Sequence, residues 1–128
     1  MSGVTPELAG GTPRRDETIL VVDDQSPVRD VIRIALESAG YSVLAAESPT
    51  AAIGLAREAG RLDLVIADVV MPEMDAFELS DRLSRLWPEV RVLFTSGYAD
   101  AAEEGPFIRK PFTPGELVDK VDALLVSR

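Results

Sequence analysis

The fold of this chain is decided by the stretch Leu64-Val65-Ile66-Ala67-Asp68-Val69-Val70-Met71-Pro72. Its apolar run, followed by turn signals, is typical of a strand that is buried on both faces, as in a parallel sheet. Asp68 then lies at the carboxyl end of the strand, where open α/β sheets bind their ligands. Pro72 lacks an amide hydrogen and biases Met71 towards an extended conformation, so the strand does not run directly into a helix. Taken alone, Asp68 is equally well explained as a turn former or a helix cap.

Composition excludes several classes of function. The chain has 128 residues, a formal net charge of −9, no cysteine and no histidine. The length suits one domain, and the lack of cysteine excludes disulfides and fits a reducing cytoplasm. Without histidine the chain has no usual zinc site or Ser-His triad, so any phosphohistidine must belong to another protein. The acidic charge argues against direct nucleic-acid binding, and no apolar run is long enough to span a membrane. We therefore expect a cytoplasmic protein that binds neither nucleic acid nor membrane.

Predicted strands and helices alternate along the chain. Residues 1–16 combine glycine and proline without apolar periodicity, which predicts a flexible N-terminal arm before a domain at 17–128. Besides the Asp68 strand, strands are predicted at 18–22, 41–45, 90–94 and 107–109. Helix starts with a capping residue and a proline are predicted at Ser26-Pro27, Ser48-Pro49 and Thr113-Pro114, and one more helix follows the Asp68 strand and ends at Trp87-Pro88. The alternation predicts a single doubly wound parallel sheet that is covered by helices on both faces.

Polar side chains follow the predicted strands at their carboxyl ends. They are Asp23, Asp24, Asp68, Ser96 and Lys110. Each alone could be a turn residue or a solvated charge, but in a parallel sheet all of them lie at one edge. Two carboxylates about 4 Å apart repel by about 4 kcal/mol at an effective dielectric constant near 20, and a divalent cation and an ammonium offset that repulsion. An all-oxygen site of this kind suits Mg²⁺, and it can hold a phosphoryl donor while one carboxylate attacks as the nucleophile.

These motifs, in this order, resemble the receiver domain of two-component response regulators. The motifs are Asp23-Asp24, Asp68 followed by Met71-Pro72 and Met74-Asp75, Ser96 after a strand, and Lys110-Pro111-Phe112. The resemblance covers residues 17–128. It implies a flavodoxin-like, five-stranded sheet of order 2-1-3-4-5, and this order comes from the resemblance alone.

The resemblance also implies which residues accept the phosphoryl group and bind the metal. Asp68 would accept a phosphoryl group from a histidine kinase or a histidine phosphotransfer protein. Asp24, Asp68 and the carbonyl oxygen of Val70 would bind Mg²⁺, and Asp23 would bind the metal or a water on it. We expect no other enzymatic activity beyond slow self-dephosphorylation.

Further roles follow from the same resemblance for residues around the acceptor. Lys110 would pair with the phosphoryl oxygens, and its peptide bond to Pro111 would be cis. Ser96 would donate a hydrogen bond to the phosphoryl group. Phe107 occupies the position of the aromatic switch residue, and because it has no hydroxyl, any switching would rest on packing.

The chain departs from the family pattern in two places. Asp75-Ala76 replaces the usual Asp-Gly pair, and a positive φ at Ala76 would strain it by about 1 kcal/mol or more. Only residues 97–106 separate Ser96 from Phe107, which predicts a shortened or missing fourth helix. This segment would be loop-like and would leave a partner or homodimer surface near the fifth strand.

Two positions near the acceptor bear on the lifetime of its phosphate. The resemblance implies that Val70 and Tyr98 flank the path of the in-line water, and neither side chain carries an amide or carboxylate that would orient it. We therefore expect a phosphorylated form that is long-lived for a receiver.

Alternative functions remain open at this point. An aspartate-nucleophile phosphatase of the haloacid dehalogenase type needs a second acid two residues after the nucleophile, where this chain has Val70. A degenerate receiver could serve only as a docking module, although the complete acidic set argues against it. The chain ends one helix after Lys110-Pro111, so we expect no output domain. Met1 and the arm favour a free-standing receiver, whereas residues 94–100 resemble receivers of hybrid kinases.

Overall fold

The computed structural model describes residues 16–97 and 106–126. Within them, the strands are β1 Thr18–Val22, β2 Ser42–Ala46, β3 Leu64–Asp68, β4 Arg91–Ser96 and β5 Phe107–Arg109. The helices are α1 Ser26–Ser38, α2 Pro49–Ala59, α3 Ala76–Leu86 and α4 Pro114–Val126. All strands pair in parallel in the order β2-β1-β3-β4-β5, which confirms the predicted doubly wound, flavodoxin-like sheet.

Three predictions concern residues outside the described ranges. They are the flexible arm over 1–16, of which only residue 16 is described, the shortened fourth helix within 97–106, and the role of Tyr98.

Alternating side chains of the central strands build a core on each face of the sheet. Every residue of β3 is buried, as its apolar run predicts. Val65 and Ala67 join the core beneath α2 and α3, whereas Leu64 and Ile66 join the core beneath α1 and α4. This two-sided burial stabilises the sheet and fixes which face each residue at the strand ends occupies.

The helix starts agree with the sequence at two positions and differ at a third. The Ser48 side chain caps α2, and Thr113 and Glu116 cap each other at the start of α4, as predicted. The prediction that Ser26 caps α1 is wrong, because Gln25 is the N-cap and makes no side-chain capping bond. The Gln25 N–H instead donates to the Oδ1 atom of Asp23 at 2.9 Å, and this bond sets the turn between β1 and α1 one residue earlier.

The backbone strain considered for Ala76 does not arise there. Ala76 is the first residue of α3, and Asp75 precedes it as an extended N-cap whose side chain accepts the Glu78 N–H. The residue with a positive φ in this loop is Glu73, at 78°. The positive φ occurs at Glu73 and not at Ala76 because the chain turns before the Asp75 cap and not inside α3.

Strand limits also differ slightly from the predictions. β2 begins and ends one residue later than 41–45, and β4 extends over 91–96 in place of 90–94. No helix in the described part of the chain is long and apolar enough to cross a membrane. The cytoplasmic localisation stays a prediction.

Candidate functional site

Register in the sheet brings the predicted polar residues to one edge. Val22 pairs with Ala67 across β1 and β3, so Asp23 and Asp68 follow side by side. Ser96 pairs with Arg109 across β4 and β5, so Lys110 leaves the sheet beside the end of β4. The ends of four strands therefore place Asp23, Asp68, Ser96 and Lys110 at the same edge of the sheet.

The acidic residues form a tight cluster at this edge. Asp23, Asp24 and Asp68 each offer a carboxylate oxygen, and these oxygens lie within 4.8 Å of one another. Asp23 is 1% exposed and Asp68 is 8% exposed, whereas Asp24 is exposed to solvent. The cluster is thus buried on one side and open on the other.

Lys110 supplies the positive charge that this cluster requires. Its Nζ atom donates to the Oδ2 atom of Asp68 at 2.9 Å and to the Oδ2 atom of Asp23 at 3.0 Å. Burial of the ammonium lowers the pKa of Lys110, but the hydrogen bonds and charges of the two carboxylates outweigh this, so its pKa lies above the ordinary value. Lys110 therefore stays charged at neutral pH.

Backbone groups hold the remaining oxygens of the two buried carboxylates. The Val70 N–H donates to Asp68 Oδ1 at 3.0 Å, and the Gln25 N–H donates to Asp23 Oδ1 at 2.9 Å. Each carboxylate is therefore fixed by one amide and by the Lys110 ammonium, which restricts its rotation.

The sequence and the fold are both similar to those of known proteins. Residues 19–122 match the response regulator receiver domain family. The chain belongs to this family. It is 31% identical over 117 residues to the response regulator receiver protein CpdR of Brucella abortus (strain 2308), covering 85% of this chain and 97% of CpdR. It is 37% identical over 117 residues to the sensor kinase CckA of the same strain, covering 84% of this chain but only 12% of the kinase. The solved receiver domain of the hybrid histidine kinase CckA matches with a TM-score of 0.75 and 33% identity, covering 84% of this chain and 98% of that domain.

The receiver's cluster fits the metal that the resemblance implies. Its donor atoms are carboxylate oxygens, which suit a hard divalent cation such as Mg²⁺. The open side at Asp24 leaves room for water ligands, which Mg²⁺ usually keeps. Val70 lies in the loop directly after Asp68, where its carbonyl oxygen is predicted to be a further ligand.

Ser96 and Phe107 lie on neighbouring strands of the receiver, Ser96 at the end of β4 and Phe107 at the start of β5. Ser96 is buried at the end of β4, and its carbonyl oxygen accepts the Lys110 N–H at 2.9 Å. Phe107 is half-buried on β5 and packs against the core beneath α2 and α3. The Lys110–Pro111 peptide bond is cis, which confirms the prediction. The signalling roles of Ser96 and Phe107 stay predictions.

Sequence reasoning missed three residues around the site. Arg29 of α1 donates to the carbonyl oxygen of Asp23 at 2.7 Å. Thr95 pairs with Asp68 in register, and its Oγ1 atom is buried without a hydrogen-bond partner. Glu73 accepts two hydrogen bonds from Thr50 at the start of α2. A polar Thr95 in an apolar strand was a usable signal, whereas the other two contacts depend on the tertiary fold.

Proposed function

We propose that this receiver accepts a phosphoryl group on Asp68 in two-component signal transduction, with Mg²⁺ bound beside it. The observation that carries the proposal is the Lys110 ammonium, which bridges Asp68 and Asp23 within the acidic cluster. A partly buried cation at an acceptor carboxylate supplies the positive charge that stabilises a phosphoryl group as it approaches.

Asp68 is the nucleophile in this proposal. A lone pair on its carboxylate attacks the phosphorus of a phosphohistidine, the P–N bond breaks, and its electron pair stays on the imidazole, which takes up a proton. The product is an aspartyl phosphate on this chain. Because these 128 residues contain no histidine, the donor imidazole lies outside them, in a histidine kinase or a histidine phosphotransfer protein.

The neighbours of Asp68 hold charge and position. Asp23, Asp24, Asp68 and the Val70 carbonyl oxygen would hold Mg²⁺, which when bound supplies positive charge to the phosphoryl oxygens. Lys110 stays protonated because of its raised pKa, so it pairs with a phosphoryl oxygen as the charge on Asp68 is consumed. The Ser96 hydroxyl donates to another phosphoryl oxygen, and Phe107 responds through packing alone.

An apolar rim next to Lys110 favours a protein, and not a small molecule, as the phosphoryl donor. Val31 is 48% exposed on α1, and it lines a cavity together with Pro27, Val28, Phe112 and Lys110 itself. Ile34 extends the same face and is 55% exposed. A protein that presents its imidazole to Asp68 would contact this rim, and the exposed apolar side chains suit such a contact.

The test of the acceptor is incubation of the chain with acetyl phosphate and MgCl₂, followed by intact mass measurement. Wild type should gain one phosphoryl group, and Asp68→Asn should gain none. Asp81→Asn, an exposed aspartate on α3, is the matched control and should label like wild type. Stoichiometric labelling of Asp68→Asn would refute the assignment.

A phosphoester turnover assay and a Mg²⁺ titration separate the alternatives. Catalytic turnover of a phosphoester would favour a phosphatase, although the position two residues after Asp68 holds Val70. Failure of Mg²⁺ to bind would favour a module that only docks. Homodimerisation and the absence of nucleic-acid binding stay predictions, which size-exclusion chromatography and a DNA-binding assay would check.

A further inference from the structure

The loop after the acceptor contains one residue with an unfavourable backbone. Glu73 has a φ of 78°, and it is the single non-glycine residue with a positive φ within residues 16–97 and 106–126. A side chain beyond glycine disfavours this conformation, so neighbouring contacts must hold it in place.

The contacts that hold Glu73 come from a different element. Its Oε1 atom accepts the Thr50 N–H at 3.2 Å and the Thr50 Oγ1 hydroxyl at 2.9 Å. Thr50 lies in the first turn of α2, where the backbone N–H groups have no partner within the helix. The negative carboxylate also faces the positive end of the helix dipole.

The hydrogen bonds of this first turn show that Glu73 has a defined place. Pro49 has no N–H, Ala51 donates to the Ser48 Oγ atom at 3.2 Å, and Ala52 donates to the Ser48 carbonyl oxygen at 3.0 Å. The Thr50 N–H is the remaining donor of the turn, and Glu73 accepts it. The contact thus completes the capping of α2 from outside the helix.

The loop that Glu73 belongs to is the one that leaves Asp68. At its start, Val70 donates to Asp68, and at its end, Asp75 caps α3. Glu73 lies between these two points and ties the loop to α2, which is anchored to the sheet by its fully buried residues Ala52 and Ala56. The loop is therefore fixed at both ends and in the middle.

We propose that Glu73 and Thr50 are positioning residues that hold the 69–74 loop so that the Val70 carbonyl oxygen meets the cation. This inference rests on the proposed function, because it concerns the Mg²⁺ site. Neither residue is a ligand, and each acts through the loop. Partners behind a metal site commonly change its affinity by about 10–100-fold when removed, and this surface contact belongs at the lower end.

The variants Glu73→Gln and Glu73→Ala distinguish the positioning role of Glu73 from the effect of its negative charge. Both substitutions remove one negative charge near the cation, but only Glu73→Gln keeps an oxygen that accepts from Thr50. In calorimetric titration of the full chain with MgCl₂, Glu73→Ala should bind about tenfold more weakly than Glu73→Gln. Equal affinity of the two variants would overturn the proposal. Glu78→Ala, which removes an exposed charge on α3 that pairs with Arg82, is the control and should bind like wild type.

Substitutions of Thr50 provide a second pair. Thr50→Val removes the hydroxyl donor and should weaken Mg²⁺ binding. Thr50→Ser keeps the donor and should bind Mg²⁺ like wild type. Equal binding by these two variants would count against the proposal even where a Glu73 variant fails to fold.

A measurement without metal distinguishes failure of this inference from failure of the proposed function. In EDTA, the Val70 amide of Glu73→Ala should exchange with deuterium several-fold faster than in Glu73→Gln, because its bond to Asp68 depends on the loop. If wild type binds no Mg²⁺ but this difference is present, the metal site is wrong and the loop is still held by Glu73. If wild type binds Mg²⁺ and the difference is absent, the positioning role is wrong.

Discussion

Replacement of Lys110 by methionine removes the ammonium from the acidic cluster and keeps a side chain of similar length. Asp68 and Asp23 then lose the partner that donates to them at 2.9 Å and 3.0 Å. The side chains of Asp23 and Asp68 are 1% and 10% exposed, and that of Lys110 is 20% exposed, so the contact is mostly buried.

The size of the effect follows from this burial. Removal of one partner of a buried ion pair destabilises a protein by about 3–5 kcal/mol. We expect about 3 kcal/mol for Lys110→Met, because the cluster is open to solvent at Asp24 and Lys110 is partly exposed. For a domain of this size, about 4 °C per kcal/mol gives a melting temperature about 12 °C below that of wild type.

Mg²⁺ should reverse part of this loss. The Lys110 ammonium pairs with Asp23 and Asp68, the carboxylates that would bind the cation. Because this competition is removed, Lys110→Met should bind Mg²⁺ more tightly than wild type. Saturating Mg²⁺ stabilises both proteins, so the difference between them narrows only by the ratio of their dissociation constants, by about 1.4 kcal/mol for each tenfold. The variant should therefore be markedly less stable than wild type in EDTA, and the difference should be smaller in MgCl₂.

Thermal unfolding followed by circular dichroism, in EDTA and in a series of MgCl₂ concentrations, measures both effects. Lys120→Met is the matched control, because Lys120 is exposed on α4 and is the other lysine of the chain. Equal melting of the two variants in EDTA would refute the stabilising role of Lys110. Weaker Mg²⁺ binding by Lys110→Met would refute the competition for the carboxylates.

Three further predictions follow from the same site. Because the folded pKa of Lys110 is raised, its contribution to stability is fully present below its unfolded pKa of about 10.4 and is lost as the pH rises through the folded value. The difference in unfolding free energy between wild type and Lys110→Met should therefore stay constant from neutral pH to about pH 10 and shrink above it. A steady change between neutral pH and about pH 10 would contradict this prediction. Thr95→Val should raise the free energy of unfolding in urea by about 1 kcal/mol, because the buried hydroxyl has no partner, and a lower stability would show that the hydroxyl is paired. Val70 is 58% exposed beside the acceptor, and its side chain cannot orient the water that hydrolyses the aspartyl phosphate. Val70→Asn, Tyr98→Glu and the double variant should therefore lose phosphate faster than wild type when decay of the purified phosphoprotein is followed. Decay of wild type within seconds, or no change in any variant, would show that this water is controlled by other residues.

The local pattern of residues predicted the elements that depend on near neighbours. The apolar run before Asp68 specified a buried strand with the observed limits Leu64–Asp68, because burial on both faces requires apolar residues at every position. Ser48 and Thr113 were recognised as caps, because a cap bonds to an amide within its own first turn. The gathering of Asp23, Asp68 and Lys110 at one edge followed from parallel strands, whose carboxyl ends meet.

Tertiary structure alone decided which groups touch. Lys110 lies 87 residues from Asp23 along the chain, and Glu73 lies 23 residues from Thr50, so no local periodicity relates the partners. The sequence therefore determined the strands and the chemical groups at their ends. Packing of the sheet determined the distances and partners, because those depend on register and on helices that approach from remote parts of the chain.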